Sequence, residues 1–135
     1  MSSWLEIILR FLLAAGLGAG IGYQRERAGK AAGLRTHILV SSGAALFTLV
    51  SIYGFSGAVV DISRVAAGVV VGIGFIGAGV ILRGQREKEV AGLTTAATIW
   101  ITAAVGLAAG AGMYLISVIA AAVTVGVLFL PKVRG

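Results

Sequence analysis

The chain is predicted to be an all-α, polytopic membrane helical bundle with about five transmembrane helices, and three observations carry that prediction. Of its 135 residues, 59% are hydrophobic and 12% charged, and the mean hydropathy is +1.03, well outside the range of soluble domains. Apolar runs close to the ~20 residues that cross a bilayer recur along its length. Most of its 21 glycines, with one proline and no cysteine, lie inside those runs and not in a linker, so they mark close helix packing. The absence of cysteine excludes disulfides, thiolate metal sites and cysteine nucleophiles. One transmembrane domain, 1–135, is expected.

The first apolar run, 4–22, contains Ala14-Ala15-Gly16, which resembles a signal-peptide cleavage region. The residues before it carry no cation and the cations follow it, so it reads as a retained helix. Glu6 and Arg10 stand i, i+4 near its start, where they suit a structural anchor or a cation site. The connection 23–37 carries Arg25, Arg27, Lys30 and Arg35. A second run, 38–55, includes Ser41, Ser42 and Thr48; the connection 56–64 holds Asp61 and Arg64; the third run is 65–82. Arg83, Arg86 and Lys88 fall in the connection 83–90. The fourth run, 93–109, leads through the turn Gly110-Ala111-Gly112 into the fifth, 113–130, which Pro131 stops ahead of Lys132 and Arg134. The cation-rich connections all fall on one side, which predicts an outside N-terminus and a cytoplasmic C-terminus. The net charge of +6 therefore reads as topology and contact with the lipid bilayer, not as a nucleic-acid surface.

Gly72-Ile-Gly74-Phe-Ile-Gly77 matches the G-x-G-x-x-G pattern of dinucleotide-binding turns. A phosphate cradle requires a preceding strand, and this stretch sits inside an apolar span, so it reads as a packing surface. Glycine pairs at i, i+4 recur at Gly16 and Gly20, Gly18 and Gly22, Gly68 and Gly72, and Gly106 and Gly110, joined by Gly74, Gly77 and Gly79. Spans one, three and four are thus expected to form the close-packed centre. A local helix break at the third-span glycines, lining a cavity or ion path, is the other reading.

The polar residues inside or beside the spans each have two readings. Asp61 is a helix N-cap paired with Arg64, or a cation-binding or gating group. Glu26 with Arg25, Arg35, Thr36 and His37 forms a solvated, lipid-facing charge cluster, or a polar cap over the mouth of the bundle. Thr94, Thr98 and Thr102 recur every four residues with Thr95 adjacent, which suits helix contact or pathway lining. One histidine and scattered acids match no metal-ligand spacing, so any magnesium would bind largely hydrated, through Asp61 or Glu26, with no other cofactor. No nucleophile–base pairing, paired carboxylates, HExxH or Walker loop occurs, and the chain is not expected to be an enzyme.

GYQRER, AGLRTHILVSSGAALF, DISRVAAGVVVGIGFIGAGVILR and VAGLTTAATIWITAAVGLAAGAG occur in this order, and together they resemble the MgtC/SapB family of bacterial inner-membrane proteins. The resemblance runs from about Gly16 to Tyr114. It implies a bundle of about five helices with its N-terminus outside, a link to magnesium limitation, and in pathogens a role in virulence and survival inside macrophages. It also implies action on a partner, such as the proton-translocating ATP synthase or a cation pump of the P-type ATPase class. The family positions fall on Arg25 and Glu26, 33–37, Asp61 and Arg64, the glycines of 72–79, and Gly92 to Thr95. Gln24 stands where the family's block often has a first glutamate, which weakens any role needing two acids there. The functional expectation is a homodimeric regulator of cation or proton homeostasis; the alternative is a small magnesium or other cation transporter or channel.

Overall fold

A computed structural model describes residues 3–55, 61–84 and 89–130, with side chains over 4–55, 61–81 and 92–130. The described residues form five helices: α1 (Ser3–Arg27), α2 (Leu34–Tyr53), α3 (Ser63–Gly84), α4 (Glu89–Gly110) and α5 (Tyr114–Leu128). Four are long and apolar enough to cross a membrane, and α5 is a shorter apolar helix. This is a helical membrane bundle, as the hydropathy predicts. The proline and tail after α5, and Arg86 and Lys88 between α3 and α4, lie outside the described residues.

The helices begin and end for identifiable reasons. α1 stops where Gly29 takes φ 72°: the amide of Lys30 donates to the Arg25 carbonyl and that of Gly29 to the Glu26 carbonyl. That 6→1 and 5→2 pattern needs a left-handed residue, which glycine adopts without steric cost. Gly112, at φ 88°, ends α4 in the same way, with Met113 and Gly112 amides donating to the Ala108 and Ala109 carbonyls. Gly33 precedes α2 without a capping side chain, and Glu26 substitutes from the neighbouring helix, its Oε1 accepting from the Leu34 amide at 2.9 Å.

Helix α1 thus continues through Arg27 and α2 begins at Leu34. The connection expected over 23–37 shrinks to 28–33, because helical turns extend past the apolar run where long cationic side chains can reach the interface. Arg25, Glu26, Arg35, Thr36 and His37 accordingly sit on helical turns, with fixed directions.

The expected centre of spans one, three and four is corrected. The close crossing involves α1, α2 and α4, with Ser41 of α2 between Gly18 and Gly106. A Cβ on Gly106 would lie 2.8 Å from the Ser41 Cα, and one on Gly18 would lie 2.6 Å from the His37 carbonyl oxygen. Ser41 Oγ donates to the Ala14 carbonyl at 2.7 Å, joining α2 to α1. Gly110 continues this seam against Ala45 and Thr48, and Gly22 lies against His37 and Leu34. α5 closes the opposite side, where Ala121 packs with Ile21 and Val105.

Helix α3 is peripheral: 6% of its span is buried inside the chain, against 56% for α4. Of its glycines, Gly77 is 3.5 Å (as a built Cβ) from the Ala96 Cβ, while Gly68, Gly72, Gly74 and Gly79 meet nothing within 4 Å. Gly16 and Gly20 also meet nothing, so on α1 the pair that packs inside the chain is Gly18 and Gly22. α1 carries i, i+4 glycine pairs on more than one face, and spacing alone does not tell which one meets a neighbour.

At the far end Arg10 ties four segments together. It pairs with Glu6 Oε2 at 2.6 Å, donates to the Gly110 carbonyl at 3.1 Å, and lies 5.6 Å from the Tyr53 ring centroid. Tyr114 hydroxyl donates to the same Glu6 oxygen at 3.4 Å. The Glu6–Arg10 pair is therefore the anchor joining α1 to the ends of α2 and α4 and the start of α5.

Candidate functional site

At the other end, α1, α2 and α4 bring together Arg25, His37 and Thr95. Arg25 falls one turn beyond Ile21 on the buried face of α1 and is 3% exposed. Its Nη2 donates to Thr95 Oγ1 at 3.2 Å, across 70 residues of sequence, while its Nε is buried without a hydrogen-bond partner. His37 is fully buried. Its Nδ1 lies 2.8 Å from the Gly33 carbonyl, which can only accept, so Nδ1 donates there and the ring's remaining polar atom is Nε2. That atom is also buried and unpartnered. A guanidinium in low dielectric costs several kcal/mol unless paired, yet the ion pair found among the described residues is Glu6–Arg10, at the opposite end.

The remaining cap residues surround this pair without joining it. Glu26 is exposed and occupied with the start of α2. Arg35 is exposed and Thr36 half-buried; Arg27 lies over Tyr23, its Nη1 donating to the hydroxyl at 3.0 Å. Gln24, the departure from the family block, has its Oε1 buried without a partner.

Asp61 and Arg64 lie at the other end, at the start of α3, and both are exposed. Asp61 Oδ1 accepts from the Ser63 amide at 3.0 Å and the Ser63 hydroxyl at 2.7 Å, which makes it the cap of α3. Those two bonds hold its carboxyl below the usual carboxylate range, with Arg64 adding a smaller effect. A carboxyl depressed in this way supports the cap at pH above its ordinary value, and the support is lost as pH falls through the depressed value. Ser63→Ala is expected to move the Asp61 titration upward towards that of a free aspartate, as read by carboxyl carbon NMR; an unmoved midpoint would rule out the hydroxyl as the main cause.

The threonines bond within their own helices. Thr98 donates to the Thr94 carbonyl at 2.8 Å and Thr102 to the Thr98 carbonyl at 2.7 Å, the back-bonding that threonine adopts in apolar surroundings. Thr95, Thr98 and Thr102 are buried between helices and Thr94 is exposed. Asp61 and Glu26, the expected magnesium ligands, belong to opposite ends of the bundle. Among the described residues no three His, Asp or Glu side chains stand together as a metal-ion cage.

The sequence singles out Ser41 and Thr95 but not what each one meets. Ser41 reads there as one of several hydroxyls, and it lies at the centre of the crossing. Thr95 reads as part of a stripe, and it accepts the bond from Arg25.

This architecture defines a polytopic helical membrane protein with a buried arginine and histidine at one end of a glycine-sealed bundle. The chain belongs to the MgtC family, whose model matches residues 11–134. It is 49% identical over 129 residues to the Escherichia coli (strain K12) protein named "Putative magnesium transporter YhiD", covering 91% of this chain and 59% of that one. It is 46% identical to Protein SrpB of Synechococcus elongatus, covering 86% of this chain and 69% of that one, and 46% identical to Protein MgtC of Salmonella typhimurium, covering 79% and 44%. The chain thus spans little more than half the length of the first of these relatives. No solved structure matches.

Proposed function

We propose that this is a non-enzymatic protein of the bacterial inner membrane that serves cation or proton homeostasis under magnesium limitation by binding and modulating another membrane protein. A proton-translocating ATP synthase or a P-type cation pump suits that role, and in a pathogen the same activity would aid intracellular survival. The carrying observation is the end of the bundle where Arg25 and His37 lie buried with unpaired atoms, beneath exposed Glu26 and Arg35. That surface is fixed by packed helices, charged and rigid, as a docking face requires. A second copy would pair along the outward edge of α3, where Gly74 meets nothing and Val71 and Phe75 are 74% and 81% exposed. Hydrated magnesium at Glu26 or Asp61 is compatible with this reading but not required by it.

The printed name of the Escherichia coli relative favours a second reading, a small magnesium transporter. For that reading the threonine stripe would line the path. The Thr98 and Thr102 hydroxyls already donate to their own helix, leaving lone pairs as the groups they could offer an ion.

The test is capture of candidate partners by the full chain. Arg35→Gln and Glu26→Gln, both exposed positions, are expected to reduce capture about tenfold or more, the loss of a charge-assisted contact, with thermal unfolding in detergent little changed for Arg35→Gln. Undiminished capture by both variants would remove this end of the bundle from the interface.

A further inference from the structure

Because α3 leans on α4, an apolar groove of about 610 Å³ is left between α2 and α3. Leu39, Gly43 and Phe47 wall it on α2, and Gly68, Gly72 and Ile76 on α3. Gly43, Gly68 and Gly72 have nothing within 4 Å of a built Cβ, so the groove is open space that the chain's own packing does not fill.

The groove has a polarity. Arg35 stands one turn before Leu39 on the same face of α2, and Thr36 one turn before Val40, another lining residue. Side chains on a helix lean towards its N-terminus, so Arg35 extends from the end of the groove outward to the interface. Arg27 and Lys30 share that end of the bundle with Arg35, against Glu26 as the described acid, whereas at the opposite end Arg10 and Arg64 are matched by Glu6 and Asp61. Leu39 and Phe47 are about 12 Å apart along the axis at ~1.5 Å per residue, and Arg35 adds about 6 Å. The sum is close to one leaflet's share, about 20 Å, of a bilayer ~40–45 Å thick with its headgroups.

We propose that this groove binds one anionic phospholipid, with an acyl chain between α2 and α3 and the headgroup phosphate on Arg35. Basic positions at the ends of grooves between transmembrane helices suit such headgroups. Charge complementarity separates this occupant from a second copy of the chain: an isologous dimer through the groove would bring the same basic end of each copy together, whereas a phosphate neutralises it.

The experiment uses the full chain with Trp4 and Trp100 changed to Phe and Phe47→Trp as the sole reporter, in phosphatidylcholine vesicles with rising fractions of chain-brominated phosphatidylglycerol or brominated phosphatidylcholine. Bromine quenches a tryptophan it touches. The expected result is quenching with a preference for phosphatidylglycerol of about fivefold, the factor one cation near an anionic headgroup confers. Arg35→Gln should abolish the preference and Arg64→Gln should keep it. Gly72→Leu, whose added Cβ meets nothing within 4 Å and whose side chain enters the groove, should reduce quenching by both lipids and remove the preference. Equal quenching by the two lipids, a preference that follows Arg64 instead of Arg35, or a reporter shielded from both lipids as a second copy would shield it, would each overturn the proposal.

Discussion

Replacing Gly106 with leucine is expected to be the most disruptive single change to the bundle. A Cβ at this position would lie 2.8 Å from both the Ser41 Cα and the Ser41 carbonyl carbon, and backbone at a helix crossing cannot rotate away as a side-chain tip can. The helices must separate where α4 crosses α2, at the residue whose hydroxyl also ties α2 to α1. Overpacking a core costs about 1–3 kcal/mol where side chains can adjust, and here no side chain is available to do so. Thermal unfolding in detergent should show loss of the cooperative transition for Gly106→Leu, while Gly16→Leu, at a position where an added Cβ meets nothing within 4 Å, should unfold close to wild type. Equal destabilisation by both would mean that the α2–α4 seam is not where the bundle is held.

The second large effect concerns function and leaves stability almost untouched. Arg25 is buried with a single side-chain bond, to Thr95, and an apolar residue of similar length in place of a buried ionic group is often neutral or stabilising by about 1–4 kcal/mol. Arg25→Met is therefore expected to unfold no earlier than wild type and yet to lose partner capture, because the charge beneath the docking face is gone. Thr95→Val keeps the charge but strips it of its partner, and should cost about 1.5–3 kcal/mol, the range for a hydrogen bond to a charged group. If Arg25→Met instead collapsed the bundle while Thr95→Val was neutral, Arg25 would be a structural residue and its charge would have no separate role.

On this proposal the charge of Arg25, and not its packing, is what the position supplies. Groups held at an energetic cost mark function more reliably than groups that fit their surroundings. His37 belongs to the same class, since its Nε2 is buried without a partner although an apolar residue would leave nothing unsatisfied. Asp61 differs from both, because its carboxylate is exposed and its Oδ1 caps α3.

Hydropathy made the helices legible, and charge made one basic end legible, because both are local properties of the chain. Pairing of the helices was not local. The i, i+4 glycines of α1 and α3 are indistinguishable by spacing, yet Gly18 and Gly22 touch α2 while Gly68 and Gly72 face an open groove. What decides is the facing residue: Ser41 can approach Gly18 and Gly106 because a small hydroxyl with its own bond to Ala14 fits between two bare backbones. The same holds for the candidate site. Arg25 and Thr95 could each be singled out in the sequence, but their bond spans 70 residues and depends on α4 crossing α1. The helix ends also ran beyond the apolar windows, so Arg35 to His37 read as a connection although they form the first turn of α2.

The proposed action on another membrane protein implies that the chain does not itself carry an ion. Magnesium and proton flux into proteoliposomes containing only the folded chain, wild type beside Asp61→Asn, tests it most directly. The account predicts no flux above that of empty vesicles for either protein. Magnesium-dependent flux in the wild type that disappears in Asp61→Asn would contradict it and make the chain a transporter.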